Sequence, residues 1–180
     1  GYVIDGGRLV HKDTREPLGF EILAGSSVQQ RLIASYVSDL AKLGIAARLR
    51  VVDSSQYQSR LKDYDYDMIQ TAWPSSLSPG NEQVFRWDSR NADVPGSFNF
   101  VGVKNPAVDA MINRLLEAEG DEDFTSAVRA LDRVLLSGHY VIPLFHASRQ
   151  WVANWKQVQG PKTFSLWGYN LDTWWIDGQK

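Results

Sequence analysis

The stretch GFEILAGSSVQQRLIASYVSDLAKLGIAARLRVV, residues 19–52, is the part of the sequence that decides the fold. It opens with a short β-like run and closes with residues 47–52, where small or apolar side chains alternate with arginines as in a strand with one exposed face. Between these runs, apolar residues recur at helical spacing. Ser26 or Ser27 is placed to cap this helix, and Gly44 is placed to end it. The stretch therefore predicts a β-α-β unit.

The residues on either side extend this unit. Before it, residues 2–11 are typical of a β-hairpin with an Asp-Gly-Gly turn at residues 5–7. After it, Ser54 or Ser55 is predicted to cap a shorter helix, and residues 67–73 (DMIQTAW) are predicted to form a third apolar strand. This β-α-β-α-β order predicts an α/β fold with right-handed crossovers, a mainly parallel sheet and flanking helices.

The second half of the chain is predicted to be mostly helical. A short helix is expected over residues 79–85, where Pro79 stands at its start. A longer helix is expected to begin at Asn105 and Pro106, a cap followed by a proline in the first turn. The next helix is expected to be capped by Asp121 and to end at Gly138.

The end of the chain combines a short apolar run with many aromatic residues. Residues 140–144 (YVIPL) predict a strand that lies at a sheet edge or at a crossing between units, because Pro143 cannot donate to a β-ladder. Seven tryptophans in the chain, mostly in its second half, predict a binding face or an interface. For the last four, packing on another part of a longer protein is at least as good an interpretation. The start at Gly1 without methionine also leads us to expect a piece of a longer protein.

Composition excludes several classes of function. A chain of 180 residues with 43% apolar and 22% charged residues can form one sizeable core. The net charge of −2, with both signs mixed, provides no electrostatic footprint for nucleic acid or an anionic membrane. The absence of cysteine excludes disulfides, thiolate catalysis and zinc-thiolate sites. No apolar run has the length of a membrane span, and no signal peptide is visible.

The loop after the third strand is the first candidate site, because ligands of open α/β sheets bind beyond the carboxyl ends of the strands. Residues 73–81 offer a large aromatic ring from Trp73, hydroxyls that include Ser75 and Ser76, and an amide. These groups suit stacking and hydrogen bonding on an organic ligand. The alternative is a surface loop with Trp73 as a core residue. Residues 96–100 (GSFNF) form a second polar and aromatic loop of the same kind.

Motifs for catalysis and metal binding are lacking. The sequence contains no GxSxG, P-loop or GxGxxG element. Three aspartates alternate over residues 63–67 as in a calcium loop, but Met68 and Pro74 stand where an EF-hand requires glycine and glutamate. The three histidines are scattered and lack a metal-binding context. We therefore predict no enzyme activity, no metal and no cofactor.

Two other classes of protein share this architecture. An α/β hydrolase-like or transferase domain could use the loop after Trp73, and would need a base within hydrogen-bond reach of Ser75 or Ser76. A response-regulator-like interaction domain would need an acidic pocket at the strand ends, and the loop after Trp73 has none.

Several short motifs, each weak alone, occur together in an order that resembles family 5 extracellular solute-binding proteins. The resemblance is to the C-terminal portion of the receptors for oligopeptides and microcin C. The motifs are GYVI with a Gly-Gly turn (1–7), EIL (21–23), DYDM (65–68), NF and GV (99–103), NPAVD (105–109), ALDRVL with YVIPL (130–144) and DTWW (172–175).

The resemblance implies one lobe of a two-lobed, type II (cluster C-like) periplasmic binding protein. Such a receptor closes on an oligopeptide or peptide-like solute and delivers it to the inner-membrane permease of an ABC importer. Residues 1–148 would be most of the inserted ligand-binding lobe, and residues 149–180 would return to the other lobe and pack on it. The partners expected are therefore the solute and the permease, with no nucleic acid and no membrane span in this chain.

The resemblance also suggests which residues contact the ligand. Trp73 would stack on it, three polar residues would bond its amides or hydroxyls, and an arginine would pair with a carboxylate. The candidate contacts are Trp73, Ser75, Ser76, Arg86, Trp87 and Asn99.

The sequence departs from the family pattern in the loop after Trp73. Many peptide-binding relatives place an aspartate there that pairs with a peptide's α-amino group, whereas residues 75–78 (SSLS) contain no acid. Phe98 also stands where the subfamily tends to have arginine. We therefore do not expect free dipeptides or tripeptides held by their N-terminus as ligands.

Overall fold

The computed structural model describes residues 1–73, 78–146, 151–163, 165, 166 and 168–178. The chain divides into two compact units, Gly1–Tyr140 and Val141–Lys180. The division predicted after residue 148 falls within residues 147–150, which lie outside the described residues, and it stays a prediction.

The first half of the chain is a β-hairpin followed by a parallel α/β sheet, as the sequence predicts. The hairpin strands pair antiparallel, and the sheet has the strand order β4-β3-β5 with both pairings parallel. The elements are β1 Tyr2–Asp5, β2 Arg8–His11, β3 Gly19–Ala24, α1 Ser27–Lys42, β4 Ala46–Val51, α2 Ser54–Lys62 and β5 Met68–Ile69. The predicted β-α-β-α-β order is therefore confirmed.

The third strand of the sheet is much shorter than predicted. Only Met68 and Ile69 pair with β3, whereas the sequence predicts a strand over residues 67–73. The ladder ends because side chains replace strand partners on both sides. The N–H of Glu21 donates to the carboxylate of Asp67 at 2.8 Å, and the carbonyl of Gln70 accepts two side-chain hydrogen bonds at 3.2 Å each.

The caps of the two sheet helices agree with the sequence in one case and differ in the other. The hydroxyl of Ser26 accepts from the N–H of Gln29 at 3.3 Å and caps α1, as predicted. The cap of α2 is Asp53, whose carboxylate accepts from the N–H of Gln56 at 2.9 Å. The predicted caps, Ser54 and Ser55, therefore lie inside the helix, because aspartate is an equally good cap and comes first.

Three helices follow in the first unit: α3 Glu82–Trp87, α4 Pro106–Leu116 and α5 Asp121–Ser137. Asn105 caps α4 as predicted, since its side chain accepts from the N–H of Ala107 at 3.0 Å. The start predicted for α3 at residue 79 is wrong by three residues.

The start of α5 also differs from its prediction. The cap position is Gly120 rather than Asp121, and no side chain caps the helix there. Its φ of 81° is a backbone conformation that glycine adopts without strain. Asp121 is instead the first of three acidic residues in the first turn, where negative charge stabilises the helix dipole.

Residues 140–146 form no strand, so the strand predicted over residues 140–144 is wrong. Residues 141–146 are exposed, and Pro143 removes one of the few donors with which they could pair. The second unit contains one small antiparallel pair among its described residues, β6 Val158–Gln159 with β7 Trp175–Ile176. None of the described residues of this unit is buried.

The described residues of the first unit form two hydrophobic clusters. The sheet cluster centres on Ile22, Ala24 and Ile33, where α1 covers the sheet. The helical cluster joins α3, α4 and α5, and its buried members are Trp87, Val103, Val108, Ile112, Leu115, Ala127 and Leu131.

Two tyrosines before β5 connect the sheet to the loops of the helical half. The hydroxyl of Tyr64 hydrogen-bonds the side chain of Ser97 at 2.7 Å, and the hydroxyl of Tyr66 donates to the carbonyl of Phe100 at 2.8 Å. Burial, with a smaller contribution from neighbouring tyrosines, raises the pKa of Tyr66 to about 12.

The raised pKa of Tyr66 predicts a loss of stability at alkaline pH. The unfolded chain releases this proton near pH 10 and the folded chain near pH 12, so the stabilisation is complete below pH 10 and is lost between the two values. We expect Tyr66→Phe to remove a pH-dependent contribution on the order of 1–2 kcal/mol from urea unfolding over this range. Tyr2→Phe, at a half-exposed tyrosine of the hairpin, is the control. An alkaline slope unchanged by Tyr66→Phe would contradict the assignment.

Candidate functional site

The carboxyl edge of the sheet is the place where β3 and β5 end and where α1 and α2 begin. Four residues meet there. The side-chain oxygen of Gln29 accepts from the N–H of Gly25 at 2.7 Å, while its amide nitrogen donates to the carbonyl of Gln70 at 3.2 Å. The hydroxyl of Tyr57 donates to the same carbonyl at 3.2 Å. These bonds tie the ends of two parallel strands to the two helices.

Gly25 allows this arrangement because it leaves room for Tyr57. A Cβ atom at residue 25 would lie 2.8 Å from Cγ of the Tyr57 ring, which is too close for any larger residue. Burial raises the pKa of the Tyr57 hydroxyl, and the hydrogen bond with Gln29 opposes this to a smaller extent. Tyr57 therefore stays a neutral donor over the physiological range.

Two polar atoms near this edge are buried without a hydrogen-bond partner in the described part of the chain. They are the side-chain oxygen Oε1 of Gln70 and the indole nitrogen Nε1 of Trp73. Both residues are only partly buried as a whole, so other atoms of the same side chains are accessible. Among the described residues, one acceptor and one donor near the edge are thus unsatisfied, and both atoms are covered in this conformation.

Trp73 rests on Trp87. The ring centroids are 5.1 Å apart and the planes are tilted by 48°. Trp87 is 9% exposed and belongs to the helical cluster, against which Trp73 packs. Trp73 therefore packs at the margin of the helical cluster. Trp87, also predicted as a ligand contact, lies behind Trp73 as its support.

Asn99 is fully buried, which argues against its predicted contact with a ligand. Its amide nitrogen donates to the carbonyls of Asp88 and Val103, each at 3.1 Å. Its oxygen accepts from the N–H of Val103 at 2.9 Å. We correct the prediction: with both polar atoms used inside the core, Asn99 has a structural role.

Asp88 extends the polar network directly behind Trp87. Its carboxylate accepts from the side chain of Arg90 at 2.7 and 2.9 Å. These bonds lower the pKa of Asp88 against the opposing effect of burial. The N–H of Ser89 donates to Asp109 on α4 at 2.9 Å. The residues after Trp87 are therefore fixed from several directions.

The remaining predicted contacts have different outcomes. Arg86 is partly buried in the last turn of α3, and its positive charge acts on Glu82 in the same helix. Ser75 and Ser76 lie outside the described residues, so their predicted contacts stay predictions. In the described ranges, no group of histidine and acidic residues could hold a metal ion.

Three side chains of the edge were not predicted as part of a site: Gln29, Tyr57 and Gln70. One signal in the sequence could have indicated two of them, since Gln29 and Gln70 are uncharged polar residues close to predicted strand ends. Tyr57 instead has the appearance of an ordinary core residue of α2. Its hydrogen bond with the carbonyl of Gln70 depends on the packing of α2 against the sheet.

A separate cavity of about 560 Å³ lies along the outer face of α5. It is open, and the described residues that line it all belong to that helix. Because acids line one end and arginines the other, it has the character of a solvated helix surface.

Comparison with known proteins identifies the family. Residues 1–93 match the model of bacterial extracellular solute-binding proteins, family 5 (Middle). The chain belongs to this family. The predicted resemblance is thereby confirmed. None of the helices in the part of the chain that the structure describes has the length and apolarity needed to cross a membrane.

Two relatives and one solved structure are similar to the chain. A putative binding protein of Brucella suis is 53% identical over 166 residues, which are 92% of this chain and 27% of that protein. The peptidoglycan-binding protein YepA of Agrobacterium fabrum is 46% identical over 175 residues, 97% of this chain and 28% of YepA. The oligopeptide-binding protein AppA of Bacillus subtilis, solved with a nonapeptide, has a TM-score of 0.70 at 17% identity, over 98% of this chain and 35% of AppA.

These comparisons confirm the predicted fold class, an α/β lobe of a periplasmic binding protein. They also show that the chain spans only about 27% of the length of the curated relatives it matches.

Proposed function

We propose that the chain is the substrate-binding lobe of an ABC importer receptor, which captures an oligopeptide or peptide-like solute in the periplasm and delivers it to an inner-membrane permease. The observation that carries the proposal is the carboxyl edge of the sheet, where Trp73 follows the end of β5 and packs on Trp87. Membership in family 5 and the peptide and peptidoglycan ligands in the names of AppA and YepA support it.

The proposed ligand contacts are Trp73, by stacking, Ser75 and Ser76, by hydrogen bonds to amides or hydroxyls, and Arg86, by pairing with a carboxylate. Trp87 would act from behind, as the surface on which Trp73 rests. Binding would be completed by closure of a second lobe, with the ligand favouring the closed form. The protein would not catalyse a reaction.

The second unit, Val141–Lys180, has a separate proposed role. Trp151 is 100% exposed and Trp155 is 77% exposed, and large exposed aromatic surfaces indicate an interface. We propose that this unit packs on a part of the longer receptor outside the present chain.

Ligand binding to the full-length receptor tests the proposal. Native mass spectrometry with short oligopeptides from a protein digest and with peptidoglycan fragments is expected to identify a bound species. Titration calorimetry with that species should show an affinity about tenfold weaker in Trp73→Ala, because a central aromatic contact is lost. Trp73→Phe, which keeps an aromatic ring, is the matched control and should lose less.

Two results would contradict the proposal. One is the absence of any bound species from both pools, and the other is full affinity in Trp73→Ala. The 180-residue chain alone is expected to bind the same species weakly or not measurably, because it supplies one side of the cleft. Micromolar binding by that chain would contradict the two-lobed reading.

A further inference from the structure

The segment that joins β5 to Trp73 has no regular secondary structure. The ladder with β3 ends at Ile69, and residues 70–73 belong to no strand or helix. Thr71 and Ala72 are exposed, so they contribute little packing that could hold the segment in place. The position of Trp73 therefore depends mainly on the contacts at the two ends of this segment.

Side chains hold the first end of the segment. The carbonyl of Gln70 accepts from the amide nitrogen of Gln29 on α1 and from the hydroxyl of Tyr57 on α2, each at 3.2 Å. A carbonyl oxygen has two lone pairs, so it can accept both bonds at once. Because two donors from different helices hold it, this carbonyl is restricted in direction, and so is the peptide unit that follows.

The two donors are themselves fixed at the end of β3. The N–H of Gly25 donates to the side-chain oxygen of Gln29 at 2.7 Å, so this one amide bridges the backbones of two strand ends. Tyr57 is buried, and its ring lies so close to Gly25 that a Cβ atom there would be 2.8 Å from its Cγ. The position of the Gln70 carbonyl is therefore set by β3, α1 and α2 together.

The second end of the segment is Trp73, whose ring packs on Trp87 with the centroids 5.1 Å apart. Three residues of extended chain span at most roughly 10–11 Å, so Trp73 cannot move far from Gln70. The contact with Trp87 supports the ring, while the bonds at Gln70 limit where the backbone can carry it. Both ends are needed to give the ring one orientation.

We propose that Gln29 and Tyr57 are positioning residues for ligand binding. By holding the carbonyl of Gln70, they set the backbone that presents the ring of Trp73 to the ligand. They act through this backbone rather than through contacts with the ligand. The inference rests on the proposed function and adds to it the residues that determine how well Trp73 is placed. A purely structural role would instead lower stability and leave both the environment of Trp73 and the ligand affinity unchanged.

Variants that remove only the hydrogen bonds test this inference in the full-length receptor. Tyr57→Phe removes the hydroxyl and keeps the buried ring, and Gln29→Met removes the amide at nearly the same side-chain size. The double variant leaves the carbonyl without either donor. Tyr36→Phe and Gln30→Met are the matched controls on α1, since Tyr36 packs against the sheet cluster and Gln30 is exposed.

Two measurements are made on each variant. Fluorine NMR of receptor labelled with fluorotryptophan reports the environment of Trp73 without ligand, and the signal that is missing from Trp73→Phe identifies it. Titration calorimetry with tetra-alanine and with the tetrasaccharide of N-acetylglucosamine reports binding. We expect the Trp73 signal to shift or broaden, most in the double variant. For the probe that binds the wild type, we expect the affinity to fall about threefold in each single variant and about tenfold in the double variant. The controls should change neither measurement.

The two measurements together decide the outcome. An unchanged Trp73 signal in the double variant would overturn the inference and leave the proposed function in place. A shifted signal with full affinity would also overturn it, because the placement of the ring would then not matter for binding. Binding of neither probe to the wild type would count against the proposed function, and the Trp73 signal would then decide the positioning role by itself. If the double variant fails to fold, Tyr57→Phe decides by the same criteria.

Discussion

Asn99→Ala is expected to lower the free energy of unfolding by about 3–5 kcal/mol, because it leaves two buried backbone groups without partners and empties a buried site. The groups are the carbonyl and the N–H of Val103. The carbonyl of Asp88 also loses a bond, but it keeps the one from the N–H of Asn91 at 3.0 Å. Asn99 is 0% exposed, so water cannot replace the lost bonds without entering the core.

Urea unfolding of the 180-residue chain, followed by circular dichroism, measures this loss. Asn113→Ala is the matched control, since Asn113 is an exposed asparagine of α4. It should change the unfolding free energy by no more than about 0.5 kcal/mol. A cost for Asn99→Ala as small as that of the control would mean that Asn99 is free for another role, including the ligand contact predicted from sequence.

The position of Asn99 shows what a sequence pattern leaves undetermined. In GSFNF, residues 96–100, glycine and serine next to aromatic residues predict an exposed polar loop. Phe98 is indeed 60% exposed, but Asn99 next to it is buried, because its side chain replaces secondary structure as the partner of the surrounding backbone. Whether a side chain takes this role depends on the path of the chain in three dimensions, and local composition does not reveal that path.

The parallel core could be predicted because its signals are local. The apolar spacing of α1, its cap at Ser26 and its end at Gly44 all lie within one stretch and agree with one another. The end of β5 could not be predicted in this way. The carbonyl of Gln70 bonds Gln29 and Tyr57 instead of a strand, and those partners lie far away in the sequence.

The candidate site shows the same difference between features set by local sequence and features set by residues distant in the sequence. Trp73 was predicted from the rule that ligands bind beyond the carboxyl ends of parallel strands, which requires only the order of the elements. Gln29, Tyr57 and Gln70 come together only when α1 and α2 pack against the sheet. The edge was thus predictable as a place, whereas most of its described polar contacts were not.

Trp87→Ala is expected to destabilise the 180-residue chain by about 3–5 kcal/mol, the usual cost of removing a large aromatic side chain from a core. Trp87 is 9% exposed and packs in the helical cluster. The same substitution at Trp155, which is 77% exposed, should change the stability of this chain by no more than about 0.5 kcal/mol. Urea unfolding of both variants provides the comparison.

In the full-length receptor, the stability cost should differ from that in the 180-residue chain for only one of these two substitutions, Trp155→Ala. If Val141–Lys180 packs on another part of the receptor, Trp155 becomes buried there, and Trp155→Ala should then cost about 2 kcal/mol or more. Trp87→Ala should cost a similar amount in both settings, because its cluster is complete within Gly1–Tyr140. A Trp155→Ala variant that remains neutral in the full-length receptor would remove the proposed interface, while a large cost confined to the longer protein would locate it on this unit.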